Sequence, residues 1–346
     1  GTLNVDASTV ADVTNDGGVV AIDAGQQLTG AFASSDDNAT TTVDGQIVGT
    51  VTLTDGSVTL DSSSGVVGTD GIVTGAVNAS SGALTMGADT SVAGGIKLSD
   101  DAGLVVNGDI TADIVNGSTT TVNLTGGHTV TGDLTANAGT TNNANILIGD
   151  VMVSGGTLTN QSGGRIQDTD ANIVVSSGVL NADGGAFRNS GNTANAAVAV
   201  SDTGTLDVTG ATAFSTVTNT GGTVRVDTST GGGLTATVAN TSGTLANNGT
   251  VTGQVTNTGT VTANGTFTQE VLNNGGTMRV TGNSTADVDN NGGDLVVNTG
   301  RTLTGDVDNR NADSSVTVNG TGTIDGDILL SAGSVVSTGT LDGTVA

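Results

Sequence analysis

The chain has 346 residues, 57 of them glycine, with no proline, cysteine, tyrosine or tryptophan and only four phenylalanines. Seven Lys+Arg against 33 Asp+Glu give a formal charge of −26, which repels phosphate backbones and excludes nucleic acid as a partner. No run approaches the roughly 18 apolar residues of a membrane helix, and a chain this poor in aromatics has no girdles for an outer-membrane barrel.

Good helix formers are scarce, with a single lysine (Lys97) and a single glutamate (Glu270), while Val, Thr, Asn, Asp, Ser and Gly dominate. β-Branched residues suit a pleated surface, and Gly, Asn and Asp adopt turn conformations at little cost, so the chain is predicted to be short strands joined by turns. Taken from the start, Gly1-Thr2-Leu3-Asn4-Val5 opens on a phrase that returns throughout. Val51-Thr52-Leu53-Thr54 and Val58-Thr59-Leu60 alternate apolar with polar at period two, the mark of strands with one buried face. Ser34-Ser35-Asp36-Asp37-Asn38 and Thr140-Thr141-Asn142-Asn143 read as polar loops leaving the body. Residues 1–150 are expected to form less regular coils with protruding loops, and residues 151–346 regular ones.

From residue 156 the phrase Gly-Thr-(Leu/Val/Met), with Gly178-Val179-Leu180 and Gly293-Asp294-Leu295 as variants, keeps a beat. Gly156, Gly178, Gly204, Gly222, Gly243, Gly259, Gly276 and Gly293 are spaced 22, 26, 18, 21, 16, 17 and 17 residues apart. The apolar residue of each phrase, Leu158, Leu180, Leu206, Val224, Leu245, Val261, Met278 and Leu295, is the candidate core. A second phrase runs in step, with a valine two residues before each of Asn219, Asn240, Asn257, Asn273, Asn290 and Asn309. Two markers on one beat define a unit that buries its apolar face only by stacking on its neighbours. The asparagines are expected to form a ladder at one corner, amide to amide between coils.

Between and after these markers, Asn192-Thr193-Ala194-Asn195 and Gly231-Gly232-Gly233 are the expected protrusions, where binding would sit. Thr250-Val251-Thr252 and Val316-Thr317-Val318 are further strands, and Gly339-Thr340-Leu341 closes the chain on the opening phrase. Uncovered coils at both ends predict a segment of a longer chain or the unit of a polymer. With coils near 19 residues the chain makes about 18 of them, within a range of roughly 16–20, and a strand spacing of about 4.8 Å predicts a single continuous solenoid on the order of 85 Å long.

Catalytic groups are few. His128 follows Gly126-Gly127 and reads as a turn residue, and Arg225 and Arg279 hold the same place in their phrases, which suggests a surface stripe. Asp287-Val288-Asp289-Asn290-Asn291-Gly292 matches the first half of a calcium loop, but Asn298 stands where the bidentate glutamate is required. No cofactor or metal residue is therefore expected, and calcium enters only as a weak bridge between acidic surfaces.

The tandem Gly-Thr-Leu-x-Val and Val-x-Asn-x-Gly phrases, with Asn-Gly turns at Asn248-Gly249, Asn264-Gly265 and Asn274-Gly275, resemble the β-helical passenger regions of bacterial autotransporters and related large adhesins. The resemblance covers essentially the whole chain. It implies a right-handed parallel β-helix, secretion to the bacterial surface, and a stalk that projects binding loops or associates sideways; no catalytic motif carries over. The combined expectation is a non-enzymatic extracellular structural protein, a surface stalk or adhesin that forms a filament or layer. Its partners would be further copies of itself or a surface glycan or protein, with no membrane insertion by this segment. The alternative is a polysaccharide-binding or polysaccharide-degrading β-helix.

Overall fold

Apolar residues at every second position give each strand one buried face, too small to make a core alone. The chain resolves this by laying successive strands parallel and in register. The computed structural model describes residues 1–62, 70–124, 126–168, 172–227 and 233–346. Among them there are strands and no helix, stacked as a parallel β-solenoid. The chain divides into two compact units, Gly1–Ala171 and Asn172–Ala346.

In the first unit a coil consists of three short strands, for example Val19–Ile22, Gln27–Thr29 and Phe32–Ser34, followed by Thr40–Val43, Gln46–Val48 and Val51–Leu53. Equivalent residues face each other across coils, with Val19 on Thr40, Gln27 on Gln46 and Phe32 on Val51. In these coils the four-residue strands belong to one sheet and the two shorter strands to a second; in Thr90–Asp100 and Ile110–Ser118 the two second-sheet strands run on as one. The bend between the two shorter strands is made by glycine. A Cβ on Gly49 would lie 2.0 Å from the Gly30 carbonyl oxygen, so only glycine lets the stacked bends approach.

The second unit repeats the plan. Its first-sheet strands begin at Val179, Thr205, Thr223, Thr244, Thr260, Thr277, Asp294, Ser315 and Ser334. The second residue of each points inward, so that Leu180, Leu206, Val224, Leu245, Val261, Met278 and Leu295 form one continuous column, each opposite the next. All seven are fully buried, and each contributes about 1.5 to 3 kcal/mol by leaving water. Leu158 holds the same position in the first unit, opposite Thr141, and is equally buried. Phe187 and Phe214 are buried together in the second unit, with ring centroids 4.7 Å apart.

One expected loop is a strand. Thr140–Asn143 lies in the first sheet between Thr121–Leu124 and Thr157–Gln161, with Thr141 and Asn143 fully buried. Its polar residues are tolerated inside because their neighbours satisfy them: Asn116 Nδ2 donates to Thr141 Oγ1 at 2.9 Å, and Asn143 Nδ2 to Asn160 Oδ1 at 2.9 Å. In the other expected loop, Ser34 ends a strand and is fully buried, and the turn occupies residues 35–38. Gly231 and Gly232 lie outside the described residues, and Gly233 begins the strand Gly233–Asn240. The 192–195 stretch does turn back on the coil: Arg188 and Asn195 form an antiparallel bridge, and Asn192 takes a left-handed φ of 53°.

Candidate functional site

The six marker asparagines lie in one column of the second unit. Asn219 Nδ2 donates to Asn240 Oδ1 at 2.9 Å, Asn240 to Asn257 at 2.8 Å, Asn257 to Asn273 at 2.8 Å, Asn273 to Asn290 at 2.8 Å and Asn290 to Asn309 at 2.9 Å. All six are fully buried. The same amides reach the first-sheet backbone of a neighbouring coil, as Asn240 Nδ2 does at Thr260 O, 2.9 Å away. The column is thus a spine that ties the two sheets together. It begins at Asn219 because Val200 occupies the preceding rung and has no donor to offer, which leaves Asn219 Oδ1 buried without a partner.

A second ladder, made of aspartate, was not anticipated. At the bend after the second strand, Asp306 N–H donates to Asp287 Oδ1 at 3.0 Å, Asp327 N–H to Asp306 Oδ1 at 2.8 Å, and Thr344 N–H to Asp327 Oδ1 at 2.7 Å. The first unit contains the same device in Asp113, Asp133 and Asp150, whose amide-to-carboxylate bonds are 2.9 Å. Each carboxylate accepts the amide that its neighbour exposes at the bend, a charge-assisted bond stronger than a neutral one. The recurring Gly-Asp pairs at 132–133, 149–150, 305–306 and 326–327 are the sequence signal. The half-match to a calcium loop is part of this architecture, since Asp287 is a bend acceptor and Asn290 a rung of the spine.

Beside the acid ladder of the second unit lies an open groove of about 350 Å³, lined by Glu270, Asp287, Asp306, Asp308, Arg310 and Asp327 among others. Arg310 donates through Nε to Asp308 at 2.7 Å, and its Nη1 forms an ion pair with Asp289 at 2.8 Å. The bond to Asp308 and the charge of Asp289 hold its guanidinium above the usual arginine value. One oxygen of each aspartate is used in this way, and the other is buried without a hydrogen-bond partner.

The remaining candidates are dispersed. Arg225 and Arg279 occupy one outward column, separated by Ala246 and Thr262, and Arg225 stands 3.9 Å from Asp207. Burial raises the Asp207 carboxyl, and Arg225 partly opposes this. His128 is half-buried in its turn, where its backbone N–H donates to Asn145 Oδ1 at 3.2 Å. Among the described residues no three His, Cys, Asp or Glu side chains are placed to hold a metal ion, and no helix is long and apolar enough to cross a membrane. What the arrangement offers chemically is repetition: columns of identical hydrogen bonds inside, and in-register outward positions rich in Thr, Ser, Asn and Val. Compared with known proteins, the chain matches no family model, no curated sequence and no solved structure.

Proposed function

We propose that this β-solenoid is a non-enzymatic structural protein of the bacterial cell exterior, a surface stalk or adhesin that associates into a filament or layer. The observation that carries the reading is the outward face of the first sheet. In the first unit its outward positions include the exposed Thr40, Thr42, Thr121 and Asn123, the half-buried Ser57, Thr59, Thr85, Asn142 and Thr159, and the exposed Val19 and Val105, in register from coil to coil and without a single charge. In the first unit the described acids lie mainly at bends and turns instead, whereas in the second unit Asp207, Arg225, Arg279 and Asp294 stand on first-sheet strands. An uncharged, hydroxyl-rich face of the first unit with acidic borders suits broad contact with another surface, while the borders keep the stacked strands soluble. The resemblance to adhesin passenger repeats points the same way.

A second reading, a polysaccharide-binding or polysaccharide-degrading β-helix, is favoured by the convergence of carboxylates around Arg310. Negative-stain microscopy of the purified protein, with and without millimolar calcium, tests the first reading, alongside reducing-end release from acidic and neutral polysaccharides. Separate rods that bind a glycan or protein surface, or filaments and sheets, support the structural reading, with calcium dependence reporting bridged acidic borders. Sugar release that is lost in Asp306→Asn would replace it with the second.

A further inference from the structure

Seven asparagines in the described residues precede glycine: Asn107, Asn116, Asn248, Asn264, Asn274, Asn291 and Asn319. In an unfolded chain all seven are open to the same reaction, attack of the glycine amide nitrogen on the asparagine side-chain carbon. The fold treats them very differently. Asn116 is fully buried, and Gly108 is packed against Ala88, where a Cβ would lie 2.2 Å from the Ala88 Cα. Gly249 N–H donates to Asn247 Oδ1 at 3.0 Å, Gly292 N–H to Ser314 Oγ at 2.7 Å, and Gly320 N–H to Thr338 Oγ1 at 2.8 Å, so these three nitrogens are committed. The Asn264 carboxamide donates to Asn248 Oδ1 at 3.3 Å and lies so close over Gly282 that no Cβ fits there, while Gly265 is stacked on Gly249. Asn274 combines exposure, an unpacked glycine and an uncommitted glycine nitrogen, which no other pair does. It is exposed, Gly275 is exposed with φ of 102° and open space where a Cβ would be, and the Gly275 N–H donates to no protein atom among the described residues.

We propose that Asn274-Gly275 is a self-modifying site, at which the folded protein deamidates ahead of every other Asn-Gly pair. The Gly275 nitrogen gives up its proton and bonds to Asn274 Cγ. The Cγ–Nδ2 bond breaks, and ammonia leaves with that proton, closing a succinimide ring. Water then opens the ring at Cγ to give aspartate, or at the former backbone carbonyl to give isoaspartate, whose main chain runs through Cβ. No oxidant or reductant is involved. The location gives the change a consequence. Asn274 directly follows Asn273, a rung of the asparagine spine, and Asn291 Nδ2 approaches Asn274 Oδ1 at 3.5 Å. Isoaspartate inserts an extra methylene into the chain next to that rung, and either product adds a negative charge to the corner.

The test is incubation of the intact protein at mildly alkaline pH, followed by peptide mapping that separates asparagine, aspartate and isoaspartate, with a parallel sample held unfolded in urea. In the folded sample product at Asn274 should lead that at Asn291, Asn248 and Asn319 by at least about fivefold, the equivalent of the roughly 1 kcal/mol needed to free each committed amide. In urea the lead should vanish. Asn274→Gln, whose ring closes poorly, should abolish the first product to appear and leave the other sites at their own slow rates. An equal rate at Asn274 and Asn291 in the folded sample, or a lead that persists in urea, would overturn the proposal.

Discussion

Asn257→Ala is the sharpest perturbation of the spine. Asn257 accepts from Asn240 Nδ2 at 2.8 Å and donates to Asn273 Oδ1 at 2.8 Å, with longer contacts to Gly259 and to Thr277 O. Two good buried bonds at about 1 kcal/mol each are lost. Asn240 Nδ2 keeps its bond to Thr260 O, but Asn273 Oδ1 is left buried without its donor, which costs about 1 to 2 kcal/mol more. The expected loss is therefore about 3 to 4 kcal/mol, read as a lower urea midpoint with an unchanged slope. The control is Thr256→Ala on the same strand, whose side chain faces outward and should cost less than about 0.5 kcal/mol. Hydrogen exchange should place the damage locally, with faster exchange at Gly259 and Thr260. If the two variants melt together, the side-chain bonds of the column contribute nothing beyond what the backbone ladder supplies, and the reasoning fails.

Three further outcomes follow from the same geometry. Val200 lies opposite Asn219, so Val200→Asn can donate to the unpaired Asn219 Oδ1, whereas Val208→Asn would face Val226 and Ala182; urea melts should show the second variant less stable by about 2 kcal/mol. Gly253→Ala, at φ of 130° and with its Cβ 2.1 Å from the Ala236 carbonyl oxygen, should cost about 3 kcal/mol, while Gly275→Ala in open space should cost only about 1 to 2 kcal/mol of backbone strain, both read from thermal unfolding. In the first unit, burial and then the charges of Asp61, Asp23 and Asp70 raise the Asp44 carboxyl above its ordinary value. A raised folded value means that the stabilisation from this group is complete below the unfolded pKa of about 4 and is lost as pH rises through the folded one. Asp44→Asn should therefore raise the urea midpoint at neutral pH, with the gain shrinking as the pH falls through the carboxylate range; a gain independent of pH would refute the assignment.

The solenoid was legible because its information is local and repeated. Alternation at period two marks strands, and the joint beat of Leu158 to Leu295 with Asn219 to Asn309 marks the coil, whatever the neighbours are. The acid ladder was not legible, because an aspartate after glycine looks like any turn residue until the amide of the next coil is placed against its carboxylate. Asp287 therefore resembled half a calcium loop. Thr140–Asn143 misled for the complementary reason: polarity in sequence predicts exposure, but Asn116 and Asn160, 25 and 17 residues from their partners Thr141 and Asn143, supply the hydrogen bonds that let those side chains be buried. Nor does the sequence distinguish the seven Asn-Gly pairs, whose chemistry depends on whether a neighbouring coil holds the glycine amide. By itself the sequence determined the strand period, the coil and the inward residues, since these follow from alternation and side-chain size. Only the tertiary structure decided which polar groups meet, because a hydrogen bond between coils requires that two backbones of different coil length be brought into one register.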